Sequence, residues 1–237
     1  MLIDRITMNE FSLALEKTKT IILPIGSIEA HGPHLPLGTD TIQAFDTSLR
    51  TSKVIDVFVA PPIYYGVCRS TKNHAGTISI SGDTLRSLLW DLISSFRSQG
   101  LKNFVILSGH AGGTHMAALQ EVGERLIEEF SDIQIAVVSE LDLLTTEDLS
   151  IIETKGDSHA GEMETSRIQY LIPELVKGMA PEEYPRFPKS ILVRDKERYW
   201  KGVVWGNPEK ASIEKGKILT ETMVNRLKVL IERIESL

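Results

Sequence analysis

A chain of 237 residues, 42% hydrophobic and 24% charged, has the length and make-up of a globular protein that buries a full core. Its formal net charge of −6 argues against a nucleic-acid or anionic-membrane surface. No stretch approaches the ~20 apolar residues needed to span a bilayer, and the single cysteine, Cys68, excludes an internal disulfide framework. The first ten residues carry Asp4 and Glu10 and lack the apolar core of a signal peptide, so a cytoplasmic protein is expected.

Four short apolar runs end at glycine or polar loops: Thr20–Ile25, 54–60, 103–107 and Gln134–Ser139. They are rich in Ile and Val and nearly continuous, as strands buried on both faces of a parallel sheet must be. Helical patterns lie between and after them. The spacing predicts helices over 41–50, 83–99, 114–130, 164–172 and 212–237. In the second, Leu85, Leu88, Leu89, Leu92, Ile93 and Phe96 recur at helical spacing, and Gly100 stands at the stop. Alternating strands and helices predict an α/β, three-layer sandwich with a mostly parallel sheet flanked by helices. Residues 179–189 hold three prolines and read as an irregular excursion; with no linker or repeat, residues 1–237 are expected to form a single domain.

The chemistry concentrates in glycine-punctuated loops. GSIEAHGPHLPLGTD, residues 26–40, brings Glu29, His31, His34 and Asp40 within twelve residues, directly after the first apolar run. Carboxylates and imidazoles are the side chains that hold zinc, iron and manganese. The remaining histidines fall in similar loops: NHAGTIS (His74), SGHAGGTH (His110 and His115) and DSHAGEMETS (His159). Taken singly, each reads as an ordinary hydrogen-bonded loop residue. Together they differ, because in an open α/β sheet the loops after the strands gather on one edge, where ligands bind. Glu29 and His31, two residues apart, share one side of an extended segment. Asp40 opens a helix and reads either as a bridging carboxylate or as a plain N-cap. Glu162 and Glu164 lie about 200° apart around a helix, so at most one faces the site, and spacing does not choose between them. Whichever faces away is expected to be a solvated first-turn glutamate. Tyr64, Tyr65, Arg69 and Lys72 are candidates for lining a pocket. Trp90, Trp200 and Trp205 could serve core, interface or pocket. The glycine loops match neither nucleotide-binding pattern, GxGxxG or GxxxxGK[ST].

On these residues the chain resembles the creatininase (creatinine amidohydrolase) family. The matching pieces are GSIEAHGPHLPLGTD, GTIS at 76–79, the Gly-His pair at 109–110, HAGEMETS at 159–166 and a closing GVVWGNP from Gly202, together spanning about residues 20–220. The resemblance implies a homo-oligomer, often a hexamer, that hydrolyses a C–N amide bond of a small-molecule substrate with two divalent metal ions (Zn, Mn or Fe). It implies Glu29, His31, Asp40 and His110 as metal ligands, with Asp40 bridging. It further implies His159 as the proton-handling histidine and Glu164 as the second acidic position; His34 drops out as a supporting residue. The amides near Gly112 and Gly113 would stabilise an oxyanion in the substrate. In creatininase itself the Gly-His pair is followed by Tyr-Glu-Asn, whose glutamate binds the second metal. Here Ala111, Gly112 and Gly113 stand there, so Glu164 or water completes that site, or one metal binds weakly. Relatives with the glycine-rich version include a formamide-cleaving deformylase and a precursor-peptide peptidase. A two-metal phosphoesterase and a non-catalytic ligand-binding member are the rival readings.

Overall fold

The computed structural model describes all residues from Met1 to Leu237. Four strands, β1 (Thr20–Ile25), β2 (Phe58–Val59), β3 (Asn103–Ser108) and β4 (Gln134–Ser139), form a sheet in the order β2-β1-β3-β4. Every pairing is parallel. Six helices accompany them: α1 (Met8–Ala14), α2 (Thr39–Thr51), α3 (Gly82–Ser98), α4 (Gly113–Glu129), α5 (Glu162–Leu171) and α6 (Ile213–Glu235).

Alternate residues of each strand face opposite layers. Ile21, Leu23, Ile25, Phe104 and Ile106 pack on one face with Leu85, Leu89 and Ile93 of α3 and Leu119, Val122 and Leu126 of α4. Ile22, Val59, Val105 and Leu107 pack on the other with Ala44 of α2 and Met223, Leu227 and Ile231 of α6. The result is the three-layer sandwich expected from the sequence.

The order of the strands positions the site. The connection through α2 carries the chain from β1 outward to β2 on one face. Those through α3 and α4 run the opposite way on the other face, as right-handed crossovers require. The loops leaving β1 and β3 therefore diverge between adjacent central strands, opening a crevice at their carboxyl ends. The two strands end in register, Ile25 opposite Ser108, and the Gly109 N–H continues the ladder to the Ile25 carbonyl oxygen at 2.9 Å.

Two elements differ from expectation. The run at 54–60 yields a strand of only two residues, because 52–54 form the turns that leave α2; Val57 still fills the core. Helix α1 goes unseen in the sequence, although Thr7 and Glu10 form a capping box at its start.

Candidate metal centre

The crevice gathers side chains from three loops. Glu29 and His31 follow β1, His110 follows β3, and His159 precedes α5. Asp40 and Glu164 come from the first turns of α2 and α5. Glu29, His31, Asp40 and His110 are almost wholly buried. Asp40 does not cap its helix: Gly38 holds the N-cap position and Asp40 is the second helical residue. There the helix dipole favours an ionised carboxylate. The backbone of Gly109 passes so close to that of Asp40 that no β-carbon fits between them.

Asp40 lies between the two imidazoles. Its Oδ1 is 3.0 Å from His31 Nε2, and its Oδ2 is 3.2 Å from His110 Nδ1. Glu29 Oε2 is 2.9 Å from the same His110 nitrogen, and Glu164 Oε2 is 3.6 Å from His31 Nε2. Hydroxyls brace the carboxylates: Ser27 donates to Asp40 Oδ2 at 2.6 Å, and Thr71 donates to Glu29 Oε1.

The ring tautomers follow from the opposite nitrogens. His31 Nδ1 faces the Glu29 carbonyl oxygen at 3.0 Å, and His110 Nε2 faces the Val67 carbonyl oxygen at 3.2 Å. A carbonyl oxygen only accepts, so each of those nitrogens carries the proton. The inward nitrogens, His31 Nε2 and His110 Nδ1, then present lone pairs to carboxylate oxygens. His31 Nε2 is fully buried without a hydrogen-bond partner. Lone pair against carboxylate is repulsive unless a cation lies between them, so the donor set fits a divalent metal. Without one, protons fill the role. Burial opposes charge on His31, but the carboxylates of Asp40 and Glu164 outweigh it and push the ring up to about 10. His110 is likewise raised, burial being outweighed by Glu29 and Asp40. Ligand-type atoms converge within 4.8 Å in three overlapping groups: Glu29, His31 and His159; Glu29, Cys68 and His110; His31, Asp40 and Glu164.

The structure separates the two glutamates that spacing leaves equivalent. Glu164 turns inward, where burial pushes its carboxyl up to about 7, and accepts the Ala160 N–H at 2.5 Å. Ala160 holds a left-handed φ of 48° in doing so. Glu162 faces away, but it is not the solvated residue expected. It is fully buried, accepts the Thr154 N–H at 2.7 Å and pairs with Lys215 Nζ at 2.6 Å.

His159 Nε2 is 2.9 Å from the Ala30 carbonyl oxygen, and its ring lies 4.1 Å from that of His31, centroid to centroid. Burial, reinforced by the charge of His31, lowers its pKa to about 4, so the ring is neutral. His34 stands outside the cluster, with Nε2 2.8 Å from Thr165 Oγ1. Gly112 and Gly113 begin α4, whose N-terminus has no side-chain cap.

A cavity of about 320 Å³ opens on this centre, lined by Glu29, Asp40, His110, Gly112, Gly113, His159 and Glu164 among others. Arg69, Trp200 and Trp205 border it, whereas Tyr64, Tyr65 and Lys72 do not, and Trp90 packs with Phe130 beside the core. Sequence reasoning misses Ser27, Thr71, Cys68, and the pair Glu140 and Arg167 in the cavity lining. Of these only Cys68 carries a visible signal, as the sole thiol. Its sulfur is buried near Glu29 and His110, and burial pushes it up to about 12.

No helix of this chain is long and apolar enough to cross a membrane. Among known proteins, the chain is 33% identical over 166 residues to the mycofactocin precursor peptide peptidase of Mycobacterium ulcerans, covering 66% of this chain and 60% of that protein. It is 26% identical over 228 residues to the creatinine amidohydrolase of Pseudomonas putida, covering 86% and 85%. Solved creatininase structures in manganese and zinc forms superimpose with TM-scores of 0.85 and 0.84 at 23% identity, each covering 98% of both chains. At that identity the likeness speaks for the fold. The family model described as creatinine amidohydrolase matches residues 4–231, and the chain therefore belongs to the creatininase family, whose named members here are hydrolases.

Proposed function

We propose that this chain is a metal-dependent amidohydrolase that cleaves a C–N amide bond of a small molecule with an activated water. The observation that carries the reading is the pair of inward nitrogens, His31 Nε2 and His110 Nδ1, set against the two oxygens of Asp40 while the outer ring nitrogens face carbonyl oxygens. In this reading Glu29, His31, Asp40, His110 and Glu164 would hold two divalent cations, Zn, Mn or Fe, with Asp40 shared between them. Glu29 and His110 would serve one position, His31 and Glu164 the other. Glu164 thus replaces the carboxylate missing at Gly112. Bound there, the cations supply a lowered pKa to a substrate water and polarisation to the scissile carbonyl.

The protein's own groups supply the rest. His159 is tied through Nε2 to Ala30, which leaves Nδ1 as the nitrogen that accepts a proton. A neutral ring takes that proton from the water first and returns it to the departing nitrogen second, avoiding an amide anion as leaving group. The uncapped amides of Gly112 and Gly113 at the α4 N-terminus suit an oxyanion on the substrate carbon. Trp200, 5.1 Å from His159 ring to ring, limits water on that side.

A second reading, cleavage near the end of a short peptide, is favoured by the similarity to a precursor-peptide peptidase. The test is a screen of protein loaded with Zn, Mn or Fe on creatinine, hydantoins, formamidopyrimidines and short peptides, with products read by mass. Metal-dependent release of an amine or ring-opened acid is expected, and peptide products would select the second reading. Turnover of phosphate esters with none of these amides would reject both. Assembly as a homo-oligomer, checked by sedimentation, belongs to the same proposal.

A further inference from the structure

The cavity is also lined by Gln43, Glu140, Leu141, Met163, Arg167 and Met223, a mostly buried end in which Gln43 and Arg167 follow Asp40 and Glu164 by one turn on α2 and α5. Arg167 and Glu140 are 1% and 4% exposed, and form a two-pronged pair at 2.7 and 3.0 Å. Thr47 completes it, donating to Glu140 Oε1 at 2.6 Å and accepting from Arg167 Nη2 at 3.0 Å. The charges cancel, so this end is polar but neutral. Gln43 is the exception to this saturation. It lies one helical turn beyond Asp40 on α2 and is 2% exposed; it borders the cavity, and its amide meets no hydrogen-bonding group of the protein. A carboxamide that reaches the cavity without a protein partner offers its hydrogen bonds to whatever fills that space, water or ligand.

We infer that Gln43 is a specificity-determining residue, which recognises a second, neutral amide- or urea-type edge on the substrate, one helical turn along α2 from the Asp40 that marks the scissile bond. This rests on the amidohydrolase reading for the location of that bond. A carboxamide offers one acceptor and two donors, and its complement is a carbonyl flanked by an N–H. An anionic group finds no uncompensated cation there, because Glu140 already engages Arg167. Leu141, Met163 and Met223 supply the apolar walls for a compact ring or short chain.

The test uses metal-loaded protein and three probes: hydantoin, which has a urea edge besides its scissile amide; 2-pyrrolidinone, which lacks it; and N-carbamoylglycine, which is anionic. Dissociation constants are measured by calorimetry with His159→Ala as the common background, so hydantoin is not consumed, and hydrolysis is followed separately with His159 intact. With Gln43 in place, the protein is expected to prefer hydantoin over 2-pyrrolidinone by about tenfold or more, as one satisfied buried amide predicts. Gln43→Leu, with Gln43→Met as a second variant should the first fold poorly, is expected to reduce the ratio to within about twofold at unchanged metal stoichiometry. No preference with Gln43 in place, variants that keep it, or tighter binding of N-carbamoylglycine would each overturn the assignment. Preference without any hydrolysis would instead reject the amidohydrolase reading and leave the recognition role standing.

Discussion

The ring of His159 lies against that of His31 at 4.1 Å and an interplanar angle of 32°, so the imidazole proposed to carry protons borders one proposed to hold metal. His159→Ala is therefore expected to leave metal content near that of the wild type while lowering turnover about 10²- to 10⁴-fold. Metal analysis and steady-state rates on one preparation check this. Near-normal hydrolysis would remove His159 from the reaction.

Asp40 touches both imidazoles and a serine hydroxyl, so its loss affects both halves of the centre. Asp40→Ala is expected to bind less than half the wild-type metal. Wild-type protein treated with chelator should unfold at a lower temperature and recover on adding Zn or Mn, by about 2.7 kcal/mol at a hundredfold excess over Kd. Asp40→Ala should show no such recovery in calorimetry.

Gly112 and Gly113 separate geometry from flexibility. A β-carbon at Gly112 would lie 2.6 Å from His110 Nε2 and displace the ring from the Val67 carbonyl, whereas one at Gly113 meets nothing within 4 Å. Gly112→Ala is expected to lose about 1–3 kcal/mol of stability and to weaken metal binding. Gly113→Ala should stay within about 0.5 kcal/mol of the wild type. Urea denaturation of the two variants compares them directly, and equal losses would contradict the crowding argument.

The buried pair of Arg167 and Glu140 makes an asymmetric prediction. Arg167→Met alone strands a carboxylate at 5% side-chain exposure and should cost about 3–5 kcal/mol. Combining it with Glu140→Leu should restore much of that loss. A double variant as unstable as the sum of the singles would mean that the ions act independently.

His34 sets an acid limit. Burial, with the nearby charge of His31, lowers its pKa to about 4 in the folded chain, against about 6.5 when unfolded. Between those values the unfolded chain binds the extra proton, so stability falls as pH drops from about 6.5 to about 4, by up to about 1.4 kcal/mol per unit. Denaturation midpoints at pH 7 and pH 5 should show His34→Gln losing less on acidification than the wild type. Parallel losses would exclude His34 as a source.

Much of this was legible in the chain because local rules and global layout agree. Continuous Ile and Val runs are what two-sided burial demands, and the interior strands at 20–25 and 103–108 follow from that alone; the run at 134–139 forms the edge strand and is mostly half-buried. The cluster of Glu29, His31 and Asp40 was visible because twelve residues carry it, and His110 because its loop leaves a neighbouring strand. Spacing left Glu162 and Glu164 equivalent, and only the family resemblance preferred Glu164, since helical spacing fixes their separation but not the helix's rotation. That rotation depends on Asp157, which holds the Glu162 and Met163 N–H groups at 2.7 and 2.9 Å, and on distant Lys215. Ser27, Thr71 and the Val67 carbonyl act only through their positions, so residue type announces none of them.

The close passage of Gly109 against Asp40 separates rigidity from adaptability in this fold. Asp40, whose carboxylate lies between the two imidazoles, is held by backbone wedged on backbone at the ends of two central strands. The cavity's rim around Arg69 and Trp200–Trp205 comes from loop segments outside the sheet. Changing the rim side chains Arg69 and Trp205 should therefore retune what enters the cavity while the centre stays intact, a modular arrangement in which one hydrolytic core can serve chemically distinct clients.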